Sequence, residues 1–431
     1  MPAVAGRKAS VGDELEEDCG EEREDKTPSR GAHAPALARI EEPRTRLRFQ
    51  VSSPAEAGLR AIIAAGGSGG HVFCALSIAE SLRRLSPDCE VLLAGAPDGA
   101  VLEETAAQIA VRRIWISGLS RERSLAGLAR NARSFAQVPV SLVQAARLLR
   151  ELHPHVVIGT GGHASGPVTL VAQWLGIPTL IQEQNAQPGI TSRLLALGAD
   201  VACLGMKSRL RARGRTLVTG NPVRARAIRP VAAEEARRSL GLAPAAITLL
   251  VIGGSYGSTT LNDWLLRSRG ALSEAQVQII WQCGRRHLAT CAAAADRSLH
   301  VVPFIEDIAS AYSAADLVVT SAGAVTLAEL ACWGKPSVVA PDRGVAGDHQ
   351  VANALALERE QAILHAARTD DILPAVLSLL GDRARRTALA NRIQRLARPL
   401  ASDEVAREAL LLASRSRRWR HVDNGGPPHI A

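Results

Sequence analysis

The chain has 431 residues, 47% hydrophobic, 22% charged and only 3% aromatic, with a formal net charge of +9. That length exceeds a single hydrophobic core and calls for two or three domains. The scarcity of aromatics argues against stacking platforms for single-stranded nucleic acid, and the basic excess suits polyanionic ligands or an anionic membrane surface.

Residues 1–56 read as a disordered acidic tail, with charge clustered at 13–25 and no lasting periodicity; the remaining chain carries +12. Seven cysteines (19, 74, 89, 203, 283, 291, 332) are scattered without C-x-x-C pairs. This pattern predicts reduced thiols in a cytosolic setting. No secretory apolar segment stands near Met1. The long charge-free run at 156–182 is interrupted by glycines and two prolines, so no spanning helix is expected.

The first ordered stretch is Ala61-Ile62-Ile63-Ala64-Ala65, a buried strand, followed by Gly66-Gly67-Ser68-Gly69-Gly70-His71. The glycines predict a close-approach loop into a helix starting near Val72 and reaching 85. A helix N-terminus behind such a loop is an anion site, and a tight turn without a ligand is the alternative. No Lys-Ser/Thr pair follows, so it is not a P-loop, and it lacks the G-x-G-x-x-G spacing.

From there, short apolar runs alternate with helical stretches. Strands are expected at 60–65, 90–94, 112–116, 155–159 and 178–182, with a helix at 101–109. A second series follows at 247–253, 278–282, 300–302, 316–320, 336–340 and 362–365. The two series open alike, with Ala65-Gly66-Gly67-Ser68 and Ile252-Gly253-Gly254-Ser255 lying 187 residues apart. The fold class is α/β: two Rossmann-like, doubly wound domains facing a cleft, with a hinge near 219–230. Between the strands, 116–152 predicts two basic amphipathic helices, one on each side of Pro139. Leu125, Leu128, Ala132 and Phe135 share a face in the first, ringed by Arg121, Arg123, Arg130 and Arg133. Leu142, Val143, Leu148 and Leu149, with Arg147 and Arg150, mark the second. Such helices lie on anionic membranes or pack on a sheet with a solvated arginine face.

Four further stretches carry chemistry. Gly159-Thr160-Gly161-Gly162-His163-Ala164 fits a dinucleotide fingerprint with Glu183 placed 24 residues on, so a nicotinamide oxidoreductase is an alternative. Residues 182–189 are dense in amides. Gly220-Asn221-Pro222-Val223-Arg224 is a turn ending in an arginine that suits phosphate oxygens or is simply solvated. After Ser321-Ala322-Gly323, the apolar helix of residues 324–333 carries only Thr326 and Glu329 as polar members, three apart and on one face. A carboxylate there needs a partner or a use, and accepting hydrogen bonds from two sugar hydroxyls would supply one. Asp348-His349-Gln350 opens another helix, with Asn353 one turn on. No metal-ligand cluster or cofactor motif beyond these appears.

Taken in order, Gly66–Phe73, Gly161–Pro167, Glu183-Gln184-Asn185, Thr219–Arg224, Gly253-Gly254-Ser255, Ser321–Ala324 and Asp348-His349-Gln350 resemble the MurG family of peptidoglycan glycosyltransferases across roughly 58–412. The resemblance implies an inverting hexosyltransferase that moves N-acetylglucosamine from UDP-N-acetylglucosamine to lipid I, undecaprenyl-diphospho-muramoyl-pentapeptide, without a cofactor or bound metal. It implies donor contacts from Ser68, Gly69, Gly70, Asn185, Arg224, Ser255, Ile305, Ala324, Val325, Thr326, Leu327, Ala328, Glu329 and Gln350. Gly66, Gly67, Gly161 and Gly162 would border the acceptor diphosphate. The domains become 57–224 for acceptor and membrane, 225–395 for the nucleotide sugar, a helix at 396–412 returning to the first, and a basic tail at 413–431. A peripheral position on the cytoplasmic face of the membrane follows, with no nucleic acid partner. Cys74, His163, Ser68 and Tyr256 depart from the family's usual Pro, aromatic, Thr and Gln. His71 is the expected general base, kept neutral by the positive end of the following helix.

Overall fold

The structure, a computed structural model, describes residues 58–67, 69–95, 109–118, 124–296, 298–343 and 348–415. The acidic tail, Ser68, nearly all of the helix expected at 101–109, Arg121, Arg123 and the basic tail beyond Arg415 lie outside the described residues.

The first domain alternates β1 (Arg60–Ala65), α1 (Gly69–Leu85), β2 (Glu90–Gly95), β3 (Ala110–Arg113), α2 (Leu125–Leu152), β4 (Val156–Gly159), α3 (Ser165–Trp174), β5 (Thr179–Glu183), α4 (Ile190–Ala196), β6 (Val201–Leu204) and β7 (Arg215–Val218). Its strands form one parallel sheet, ordered β3-β2-β1-β4-β5-β6-β7. Successive side chains of a strand point to opposite faces, so unbroken aliphatic runs are what a sheet covered on both sides requires. Ile63 accordingly joins one core layer with Val72, Leu76 and Leu82 of α1. Ile62 joins the other with Leu148 and Leu149 of α2 and Val168 of α3.

The second domain runs α5 (Ala233–Ser239), β8 (Thr248–Ile252), α6 (Thr259–Glu274), β9 (Gln278–Gln282), α7 (Leu288–Ala292), β10 (Leu299–Val302), α8 (Ile308–Ala314), β11 (Leu317–Thr320), α9 (Ala324–Trp333), β12 (Ser337–Val339), α10 (His349–Arg359), β13 (Leu364–His365), α11 (Ile372–Gly381) and α12 (Arg383–Gln394). Its parallel sheet is ordered β10-β9-β8-β11-β12-β13. The last helix, α13 (Ala401–Arg415), leaves this domain and packs on α1. Ser402 Oγ lies 2.6 Å from Ser77 Oγ and donates to the Val223 carbonyl at 3.0 Å, and Ser81 Oγ donates to Asp403 at 2.7 Å.

In both sheets the chain order reverses at the middle, between β1 and β4 and between β8 and β11. Ligands of doubly wound sheets sit outside the strand C-termini at this switch point. The glycine loops after β1, β4, β8 and β11 all fall there. The fold thereby brings together stretches as far apart as Gly66 and Gly323.

Four local expectations need correction. The helix after the first glycine loop begins at Gly69 rather than near Val72, so Gly70 and His71 belong to its first turn. The third strand ends at Arg113, short of 116, because Trp115 N–H turns to the Gln144 side chain at 2.8 Å. The strands β6 and β7 at one end of the sheet were not anticipated; each is only four residues long.

The fourth correction concerns 116–152, which holds one 28-residue helix with Pro139 inside it. A proline in a helix interior removes one backbone bond and crowds the preceding turn. Here it sits on the exposed side, where water can reach the freed carbonyl. The first half of this helix is also inverted. Ser134, Gln137 and Ser141 face inward, and Ser117 Oγ bonds Ser134 at 3.0 Å and Gln137 at 2.7 Å. Leu125, Leu128, Phe135 and Val143 point to solvent, Leu125 being 88% exposed. The plain packed-helix reading holds only for its second half, where Ala145, Leu148 and Leu149 enter the core.

Candidate active site

The cleft is closed at its floor by hydrogen bonds between side-chain amides and backbone. Asn353, fully buried on α10, donates to Asn185 Oδ1 at 3.0 Å and to the Ala322 carbonyl at 3.1 Å, and accepts from Ala186 N–H at 2.9 Å. Asn221 donates to the Gln184 carbonyl at 3.0 Å and the Ala324 carbonyl at 3.2 Å, while accepting from Gln182 at 3.3 Å. Nearer the mouth, Tyr256 OH donates to the Gly67 carbonyl at 2.6 Å. A Cβ at Gly69 would stand 2.1 Å from Ser255 Oγ, so the two domains meet this closely only with glycine there. Removing the amide in Asn353→Ala leaves buried polar groups of both domains unpaired. The expected cost is about 1–2 kcal/mol, read as a fall in thermal midpoint of several degrees by calorimetry.

On the first domain's side, Gly66 N–H donates to the Gly161 carbonyl at 2.9 Å. Gly162 has φ +78°, and a Cβ there would lie 2.5 Å from Gly66 Cα. The loops after β1 and β4 therefore interlock backbone on backbone. His71 lies against them: a Cβ on Gly161 would meet its imidazole at 2.9 Å. Thr160 Oγ1 donates to the His71 carbonyl at 3.1 Å and fixes the turn. Burial pulls the imidazole down to about 4, opposed by Glu183 and reinforced by His349 and His163. A ring held there is neutral at pH 7, and burial is the leading cause.

Across the cleft, α9 starts at Ala324, just past the C-terminal end of β11, and the N–H groups of its first turn have no partner within the helix. Thr326 and Glu329 share its half-exposed side, whereas Leu327 packs into the domain core and offers a ligand no side-chain contact. Tyr312 OH donates to Glu329 Oε2 at 2.9 Å. Burial raises the Glu329 carboxyl to about 7, and the Tyr312 bond and Arg224 restrain the rise. Arg224 is not solvated, as a lone arginine after a turn would be. It is buried, with its guanidinium 4.6 Å from the centroid of Phe73, which itself stacks on Phe304 at 6.4 Å. A cavity of about 320 Å³ beside it is lined by Arg224, Arg226, Glu306 and Asp307. Ile305, at its edge, is buried and its N–H is taken by Gln282 at 2.9 Å.

Gln350 uses its oxygen internally, accepting from Ala322 N–H at 3.2 Å and Asp342 N–H at 2.9 Å, and so holds two cleft loops. Glu183 is consumed likewise: its carboxylate accepts from Asn185 N–H and Nδ2 at 2.9 and 3.1 Å and from Gly189 N–H at 3.2 Å. It is buried and turned onto its own loop rather than toward a ribose, which argues against the dinucleotide reading of 159–183. Asn221 and Tyr312 were missed as site-building residues. The density of amides at 182–189 hinted at the first, and nothing local marked the second.

Two facing parallel sheets, with glycine loops and helix N-termini converging from both switch points, define a two-domain glycosyltransferase architecture. Residues 61–202 match the glycosyltransferase family 28 N-terminal domain and 248–392 its C-terminal domain. The chain is 36% identical over 377 residues to the UDP-N-acetylglucosamine–N-acetylmuramyl-(pentapeptide) pyrophosphoryl-undecaprenol N-acetylglucosamine transferase of Phocaeicola vulgatus, covering 84% of this chain and 99% of that protein. It is 37% identical to the transferase of the same name from Parabacteroides distasonis, over 81% and 97%. The crystal structure of Acinetobacter baumannii MurG matches with a TM-score of 0.62 at 30% identity, over 82% and 99%. The chain belongs to the MurG family of N-acetylglucosaminyltransferases. A spinosyn rhamnosyltransferase, at 16% identity and TM-score 0.57, shares the fold.

Proposed function

We propose that this protein transfers N-acetylglucosamine from UDP-N-acetylglucosamine to the C4 hydroxyl of lipid I, the lipid-linked muramoyl-pentapeptide diphosphate. Family membership carries the reading, and the cleft supplies the chemistry. The acceptor oxygen attacks the anomeric carbon from the face opposite the leaving group, so the configuration inverts. The bond to UDP breaks with its electron pair on the diphosphate. His71 accepts the hydroxyl proton. Loop amides, the α9 N-terminus and Arg224 offset the leaving charge. Glu329 and Thr326 hold the donor nucleotide, and Gly66, Gly67, Gly161 and Gly162 border the acceptor diphosphate. Radiolabel transfer from UDP-N-acetylglucosamine to lipid I tests this, and no labelled lipid product from folded protein rejects it.

The acceptor's lipid tail places the reaction at a membrane, and we assign the docking face to the outer side of α2. Among the described residues no helix is long and apolar enough to cross a bilayer. Exposed Leu125, Leu128, Phe135 and Val143, flanked by Arg130, Arg133 and Arg147, form an apolar face ringed by positive charge. A position on the cytoplasmic face, where the nucleotide sugar is available, follows from this reading. The Arg130→Glu/Arg133→Glu/Arg147→Glu variant is expected to lose most co-sedimentation with anionic vesicles, and its residual binding to become less salt-sensitive. Unchanged binding by the folded variant would return α2 to a purely structural role.

A further inference from the structure

A second cavity, of about 480 Å³, opens on the first domain, lined by Gln187, Pro188, Arg193, Lys207, Ser208 and Arg209. Three cations and no carboxylate face it. Its walls are the loops that follow β5 and β6, so it lies at the same strand ends as the glycine loops. One wall is held firm by the Glu183 bonds to Asn185 and Gly189, and its edge at Ala186 touches Asn353 across the domain seam. Arg193 Nε is anchored on the Pro188 carbonyl at 3.0 Å, leaving the outer guanidinium nitrogens for a ligand.

We propose that this cavity binds the carboxylates of the acceptor's peptide. The inference rests on the acceptor assigned above, whose peptide ends in a carboxylate. The order β4-β5-β6 puts the cavity two strand spacings, about 10 Å, from the loop that carries Gly161 and faces His71. An extended pentapeptide spans about 17 Å, enough to cross from a muramoyl group beside His71 to Lys207 and Arg209. Arginine suits a carboxylate because its planar fork bonds both oxygens.

The test uses a Lys207→Gln/Arg209→Gln variant, with Arg193→Gln made separately, and three labelled short-chain diphospho-muramoyl acceptors. One bears the free-carboxylate pentapeptide, one the same peptide amidated, and one no peptide. Binding to the full-length protein is followed by fluorescence anisotropy. The double variant is expected to bind the free-carboxylate acceptor about fivefold more weakly and the other two unchanged. Equal affinities for the free-carboxylate acceptor, or equal losses for all three, would overturn the assignment. So would lost co-sedimentation with phosphatidylglycerol vesicles alongside unchanged acceptor binding, which would give the cavity to a lipid headgroup. Transfer to the peptide-free acceptor by the unaltered protein tests the activity on its own, so the two failures are distinguishable.

Discussion

His71→Ala is expected to lower kcat by roughly 10²–10⁴-fold, the range for a positioned general base, while the donor KM stays nearly unchanged. The reason lies in its packing. The imidazole sits against the Gly161–Gly162 backbone, where the acceptor diphosphate is proposed to bind, and burial holds it at about 4. So low a value keeps the ring neutral at pH 7 but makes it a weak base. Two diphosphate charges arriving beside it favour the imidazolium and lift the value toward the working pH. The base is thus strengthened by the substrate it serves. The acidic limb should therefore stand at higher pH for kcat, which reports the complex, than for kcat/KM, which reports the free enzyme. Both limbs should vanish in the variant. Stability gives an independent check. Between about pH 4 and 6.5 the unfolded chain binds more protons at this position, so native stability rises with pH in that window. His71→Ala should flatten that rise. A variant that keeps the acidic limb and loses mainly acceptor KM would make His71 a binding residue.

How much of this was legible beforehand depends on the range of the signal. Ile62 and Ile63 announce a buried strand because strand burial is written in consecutive residues. The repetition of Gly-Gly-Ser 187 residues on announces a second domain for the same reason. Thr326 and Glu329 stood out because a carboxylate on an apolar helix has to be explained. What failed was set by partners distant in sequence. The apolar side of α2 could not be told from a core face, since Ser117, which draws Ser134 and Gln137 inward, belongs to a separate loop. Pro139 looked like a break because local rules omit the possibility that its side of the helix faces water. Local sequence left Arg224 open between a phosphate contact and solvent because Phe73 lies 151 residues earlier, and Asn221 had no visible role until Ala324 came beside it.

Glu329→Gln is expected to weaken UDP binding by roughly 1–3 kcal/mol above pH 8, the range for hydrogen bonds to a charged group. The pH dependence is the sharper part. Burial raises this carboxyl from 4.5 to about 7, against the pull of Tyr312 and Arg224. Between those values the native state holds a proton that the unfolded chain has released, so this group makes native stability fall as pH rises. Ligand binding runs the other way. Ribose hydroxyls donate more strongly to the carboxylate than to the neutral acid, so UDP affinity should rise with pH through about 7 and level off above it. At pH 5 the carboxyl is neutral, and unaltered protein and Glu329→Gln should bind UDP almost alike. A 2′,3′-dideoxy nucleotide has nothing to donate and should show neither the rise nor the mutational loss. Titration calorimetry across pH 5–9 with both nucleotides measures all four combinations. Equal losses for the two nucleotides would assign Glu329 to holding Tyr312 and α9 in place, and the ribose contact would have to be sought elsewhere on the cleft wall.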